Sequence, residues 1–207
     1  MAYSGWSTTK YIRAASGLVT ATPLSLACWY YPTSFASQAC VIDLHNSASA
    51  ASADSFRLQM GVGASVTAAT NSPAASTTNT ASLNTWVHMA GVFSSATSRS
   101  AFINGADKTT NTTSATPSGI NETTIGLRRG TTPGAAALGP IAEAAIWNAA
   151  LDDDEVAALG KGFSPRLIRP SALVAYLPII RDFVDVKGAG FSVTGSLTVA
   201  DHCAIRG

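Results

Sequence analysis

The sequence predicts an all-β chain folded as an antiparallel sandwich or barrel, and three observations carry that expectation. Short runs rich in β-branched and aromatic residues recur along the 207 residues, spaced by small polar segments. Asn104-Gly105 directly follows one such run, and this dipeptide favours a hairpin turn because both residues tolerate positive φ. Helix start and stop chemistry is concentrated in one segment, near 152–160.

The strand candidates are Leu24 to Tyr31, Ala39 to Leu44, Phe56 to Val62, Trp86 to Phe93, Arg99 to Ile103, Glu122 to Leu127, Ile141 to Trp147, Leu173 to Leu177, Phe191 to Val193 and Ser196 to Val199. Arg99 to Lys108 reads as a hairpin closed by Asn104-Gly105. Thr67 to Ser82 and Thr109 to Gly119 read as exposed loops, because they lack an apolar period that would give them a core face. In the segment starting at Leu151, Asp152 is placed to cap and Glu155 to answer it as a capping box. Leu151 and Val156 are spaced as a hydrophobic staple, and Gly160 supplies the stop. The acidic run 152–155 lacks the ligand spacing and central glycine of a calcium loop, and carboxylates suit a first helical turn.

Composition narrows function. Charged residues are 12% of the chain, hydrophobic residues 46%, and the net charge is +1, which offers no basic surface for nucleic acid. The amino terminus has no basic region followed by an apolar stretch, and no run reaches the ~18 apolar residues of a membrane span, so a protein made in the cytosol is expected. Cys28, Cys40 and Cys203 are odd in number and lack metal-site spacing, which makes buried free thiols the expectation. Asn111-Thr112-Thr113 and Asn121-Glu122-Thr123 match the glycosylation pattern, as chance allows in a chain this rich in Asn and Thr.

No catalytic, cofactor or metal set emerges. His45, His88 and His202 are the only histidines, and none accompanies a nucleophile-elbow pattern. Asp43 and Glu143 lie in strand candidates and could face a groove, but one acid per strand also describes a solvated face. His88 lies in a run whose faces, Trp86/His88/Ala90/Val92 and Val87/Met89/Gly91/Phe93, are both largely apolar. That pattern fits the middle of a sheet covered on both sides, with His88 a packed side chain. Trp29, Trp86 and Trp147 read as core, with Trp29 and Tyr31 facing opposite to Tyr30. Tyr3 and Trp6, in an irregular amino-terminal segment, are the better candidates for contact with another molecule; with Tyr11 and Tyr30 they make up the expected interaction surface.

Five segments, PLSLACWYYP (23–32), NTWVHMAGVF (84–93), RSAFINGADK (99–108), TTIGLR (123–128) and GPIAEAAIWNAALDDDEVAAL (139–159), occur in the order of a laminin-G-like, concanavalin A-like jelly roll, which this chain resembles. The resemblance implies one domain over 1–207. An amino-terminal segment, 1–20, and a carboxy-terminal extension, 161–207, would pack on or beyond the sandwich. The chain departs from the family's β-glucan hydrolases in lacking a Glu-x-Asp-x-x-Glu strand, and Ile141-Ala142-Glu143 lacks an Asp common there. The two ends, MAYSGWSTTKYIRAASGLVTATPLSLACWYYP and RPSALVAYLPIIRDFVDVKGAGFSVTGSLTVADH, are similar to members of this family that tailed bacteriophages carry as virion components. That implies a non-enzymatic capsid decoration or cement protein. Its partners would be the major capsid protein or other virion proteins, in a homo-oligomer, with neither nucleic acid nor membrane bound. The alternative is a lectin-like module on the virion surface or tail that binds host glycans.

Overall fold

The computed structural model describes residues 2–50, 53–70, 73–179 and 185–206. In chain order the first strands are β1 (Ala2–Ser4), β2 (Tyr11–Ala14), β3 (Leu24–Tyr30), β4 (Ala39–His45) and β5 (Ser55–Met60). Next come β6 (Ser65–Thr70), β7 (Ala74–Thr80), β8 (Val87–Ser95), β9 (Ser98–Ile103), β10 (Ala106–Asn111), β11 (Glu122–Ile125) and β12 (Ile141–Trp147). Helix α1 (Asp153–Gly160) and a 3-10 turn, Pro165–Leu167, precede β13 (Leu173–Leu177), β14 (Ser192–Thr194) and β15 (Thr198–Ala200).

These strands form two antiparallel sheets. One runs β10-β9-β8-β3-β12-β1-β15, with β13 also paired to β12, and the other β14-β2-β11-β4-β5-β6-β7. Between them lies the main core, in which Leu26, Cys28 and Tyr30 of β3 and Met89 and Phe93 of β8 meet Ile42, Leu44, Phe56 and Leu58 of β4 and β5. Alternation sends the other side chains of β3 and β8 outward, and there a second apolar layer forms. Ala27, Ala90, Val92, Phe102 and Trp147 are covered by Leu151, Val156 and Leu159 of the helical segment and by Ile168 and Tyr176. The middle of the eight-stranded sheet, around β3, β8 and β12, is therefore buried on both faces, as the NTWVHMAGVF pattern predicted.

The helix forms as its sequence predicts: Asp152 accepts from the Glu155 amide at 2.9 Å, and Glu155 accepts from the Asp152 amide at 2.8 Å. Its end differs. Gly160 is still helical, and the left-handed residue is Gly162, at φ 86°. Gly160 instead lets the helix touch the Asn104-Gly105 hairpin tip, where an added Cβ would come within 2.5 Å of the Gly105 nitrogen.

Three further expectations are corrected. Within 67–82, β6 and β7 are strands; their core contacts come from Ala68, Ala75 and Val66, and alanine leaves only a faint period. Within 109–119, Thr109–Asn111 belongs to β10 and pairs with β9. The amino-terminal segment is not irregular either: β1 pairs with β12 and β15, and β2 pairs with β11 and β14.

That placement buries the aromatics expected at the surface. Tyr3, Trp6, Tyr11 and Tyr30 are each no more than 8% exposed. Trp6 donates its indole N–H to the Gly139 carbonyl at 3.0 Å, and the Tyr30 hydroxyl accepts from the Leu138 amide at 2.9 Å. Tyr3 and Tyr11 lie in β1 and β2, strands too short to show in the sequence, whereas Tyr30 is on the core-facing side of the predicted strand β3. Trp6 lies flat on the backbone of Gly126, whose φ is 84° and where a Cβ would stand 2.1 Å from the ring. Gly126→Ala is therefore expected to lower the unfolding free energy by roughly 2–4 kcal/mol, read as a reduced urea midpoint at unchanged m-value.

Candidate functional site

The outward face of the seven-stranded sheet is polar, and strand register explains why. One cross-strand row runs Arg13, Thr124, Asp43, Arg57, Ala69, Ala74. The row on one side holds Glu122, His45 and Ser55, and the row on the other holds Cys40, Gln59, Thr67 and Ser76. In β5 the alternation is plain, since Phe56, Leu58 and Met60 enter the core while Arg57 and Gln59 face away from it.

Half of this face is roofed. The Arg129 backbone amide donates to Asp43 Oδ2 at 2.8 Å, and its Nε donates to Glu122 Oε1 at 3.1 Å. Arg13 Nη2 reaches Glu122 Oε2 at 2.8 Å, and the Arg129 guanidinium lies 5.1 Å from the centre of the Tyr11 ring. His45, 1% exposed, stands 3.4 Å from both Asp43 and Glu122. Burial pushes the Asp43 carboxyl up to about 6, against the opposing pull of His45, the Arg129 amide, Arg57 and Arg128. Burial would also raise Glu122, but contact with His45, the Arg129 hydrogen bond and the Arg13 charge outweigh it and hold Glu122 down at about 2.

The other half is open. Beyond Arg129 lies a groove of about 600 Å³ floored by Arg57, Gln59, Thr67 and Ser76, with Gln38 and Arg128 among its walls. The Thr67 and Ser76 hydroxyls are 3.0 Å apart and hydrogen-bonded. Arg128 is tied to Gly134 by two backbone hydrogen bonds of 3.2 and 3.1 Å, which fix where its side chain starts. Its Nε is buried with no hydrogen-bond partner among the described residues. A buried donor left unpaired costs about 1–3 kcal/mol, and the side chain that carries it lines the groove wall. Amides, hydroxyls and guanidinium groups on one sheet face suit a ligand dense in oxygen.

The model of the concanavalin A-like lectin/glucanases superfamily, Laminin_G_3, matches residues 7–157. The chain belongs to this superfamily. Among solved structures, the concanavalin A-like sandwich seen here is similar to a candidate carbohydrate binding protein from Bacteroides ovatus, at 15% identity and TM-score 0.67 over 99% of this chain and 61% of that one. The chain thus spans about three fifths of that protein's length. It is also similar to the native heptameric SAP-like pentraxin from Limulus polyphemus, at 14% identity, TM-score 0.60 and 93% of each chain. A third likeness is to domain 4 of AbnA, a GH43 extracellular arabinanase from Geobacillus stearothermophilus, solved with arabinotriose, at 20% identity, TM-score 0.54 and 72% of each chain. At these identities the likeness is one of fold. No curated protein matches the chain by sequence.

Within this fold the structure disperses the residues that sequence alone had singled out for chemistry. His88 is 2% exposed on the covered face of the eight-stranded sheet, edge-on to Trp29 with ring centroids 5.5 Å apart. Burial holds it down at about 3. Glu143, 2% exposed, accepts from the Tyr176 hydroxyl and pairs with His202 Nε2 at 3.0 Å, so it fastens the carboxy-terminal segment instead of facing a groove. Asp43 points toward the polar face but lies under Arg129. Trp147 is fully buried as expected, whereas Trp29 and Trp86 are only partly buried. Trp86 and Tyr31, 5.6 Å apart, line a shallow groove beside Val199 and Asp201. Cys28, Cys40 and Cys203 are buried free thiols.

Sequence reading missed the groove residues. Arg57 and Gln59 were signalled by the alternation in FRLQM, but Thr67 and Ser76 lay in a segment read as loop, and nothing local marked Arg128.

Two outcomes follow from the titrating groups. Asp43 is raised in the fold above its ordinary 3.8, so its contribution to stability is full below that value and is lost as pH rises toward 6. Glu122 is lowered from 4.5, so its contribution is present above that value and is lost as pH falls toward 2. Urea unfolding across this range should show Asp43→Asn gaining stability relative to the parent between pH 4 and 6, and Glu122→Gln losing the acid-side slope. By NMR, the His88 ring should stay neutral from pH 8 down to about pH 4; a midpoint near 6.5 would contradict its burial.

Proposed function

We propose that the chain is a non-catalytic glycan-binding module whose site is the groove over β5, β6 and β7. The observation that carries this reading is the groove itself: an open polar strip on the uncovered side of a concanavalin A-like sandwich, floored by Arg57, Gln59, Thr67 and Ser76. Such side chains can donate to and accept from sugar hydroxyls at strand spacing. The arabinotriose complex of the arabinanase domain supports saccharide binding by a module of this fold. Glycoside hydrolysis would need two carboxylates flanking the bond, roughly 5–10 Å apart. Among the described residues the groove lining contains none, and Asp43 and Glu122 are engaged beneath the roofing loop.

The likeness of the two ends to bacteriophage components supports a place on a virion surface, with capsid or other virion proteins as partners. In this reading the module attaches the particle to host glycans. Any contact with those partners would use surfaces other than Tyr3, Trp6, Tyr11 and Tyr30, which the sandwich buries.

A glycan array probed with the full chain is expected to give binding that Gln59→Ala and Thr67→Ala each weaken by about tenfold; Thr67→Ala also removes the hydrogen bond to Ser76 and should lower the urea midpoint while keeping a cooperative transition. Silence across the array, together with abundant copies on purified capsids, would favour pure decoration.

A further inference from the structure

We infer that the groove is selective for acidic sugars, and that Arg128, beside Arg57, receives the sugar's carboxylate; this rests on the glycan-binding reading of the same groove. The first argument is charge. The polar face and its roofing loop gather Arg13, Arg57, Arg128 and Arg129 against two carboxylates, Asp43 and Glu122. Glu122 is shared by Arg13 and Arg129, and Asp43 gives one oxygen to the Arg129 amide. His45 sits between those two acids, and the buried Cys40 thiol, pushed up by burial, adds no negative charge. The whole chain carries a net charge of only +1, so the positive surplus is a local property of this face. Among the described residues, none that lines the groove is acidic.

Hydrogen-bond capacity is the second argument. A guanidinium donates and never accepts, and its fork matches the two oxygens of a planar carboxylate. Arg128 lines the groove wall, and its buried Nε has no hydrogen-bond partner among the described residues, so no described acceptor holds the guanidinium at that atom. Beside it, Gln38, Gln59, Thr67 and Ser76 offer the amide and hydroxyl groups that ring hydroxyls require. A neutral sugar would satisfy these groups but offer the Arg128 guanidinium no charged partner. A sulfate ester presents the same anionic oxygens on a tetrahedral centre, so the shared chemistry is an anionic oxygen pair carried on a sugar.

The test is titration of the full chain, by calorimetry and amide NMR, with glucuronic acid, N-acetylneuraminic acid, galactose 6-sulfate, glucose and galactose. The carboxylated sugars are expected to bind at least about tenfold more tightly than the neutral ones, and to weaken as salt is raised. Arg128→Gln should abolish that preference while leaving neutral binding in place, and Arg128→Lys, which keeps charge but loses the fork, should restore only part of it. Both variants should keep a cooperative urea transition; because the Arg128 charge favours the buried Asp43 carboxylate, Arg128→Gln should lower the midpoint slightly and Arg128→Lys, which keeps the charge, by less. Equal binding of acidic and neutral sugars, insensitive to Arg128→Gln, would overturn the acidic selectivity and leave the glycan reading standing. Binding of the sulfate ester alone would overturn the carboxylate assignment, and competition by free acetate or sulfate as strong as by the sugars would reduce the site to an anion pocket. If no saccharide bound at all, both readings would fall.

Discussion

The two sheets share one core but differ on their far sides, and most of the molecule follows from that difference. A strand apolar on both faces cannot stand at a surface, because each exposed Val, Phe or Trp side chain forfeits roughly 1.5–3 kcal/mol of burial. β3, β8 and β12 are of this kind. The helix, the 3-10 turn and the carboxy-terminal segment therefore work as a lid on the eight-stranded sheet. Trp147 shows the coupling: its ring fills the outer layer while its N–H reaches the Ile168 carbonyl at 2.8 Å, joining apolar cover to a satisfied polar group.

The seven-stranded sheet meets the opposite condition. Its outward rows are polar, so water can remain over them, and only half is roofed. Where the roof lies, charges are drawn out of water and must find one another, which explains the dense set of contacts among Arg13, Arg129, Glu122, Asp43 and His45. Where it stops, the same rows continue as a groove. Roof and groove are thus one surface in two solvation states, and Arg128 stands at the boundary between them.

Much of this fold was legible because alternation and turn chemistry are local. LSLACWYY, WVHMAGVF and IAEAAIW declared themselves by apolar runs, Asn104-Gly105 marked its hairpin, and Asp152 with Glu155 marked the helix start. The failures share a physical cause. β6 and β7 bury alanine, which gives too little contrast for periodicity to register, and β1 and β2 are short strands stabilised by partners far away in sequence. The aromatics of the amino-terminal segment looked exposed because their partners, Gly126, Gly139 and Leu138, lie more than a hundred residues distant. The groove was harder still, since it is assembled from register between strands and from a loop that folds back over them.

The edge strands bear on the order in which the chain can organise itself. β14 pairs with β2 and β15 with β1, so Tyr3 meets Val199 and Ile12 meets Val193. Each sheet thus gains one of its borders only when the earliest and latest strands of the sequence come together, whereas β8-β9-β10 and β4-β5-β6-β7 are built from neighbours in the chain. Such distant pairings carry the largest loop-closure entropy and tend to form last in folding. During synthesis the strands β1 and β2 would wait, unpaired along one edge, until the carboxy-terminal strands emerged. Until those pairings close, β1 and β2 would each present an open edge, and an open edge is the part of a sheet that a chaperone or a neighbouring copy can pair with.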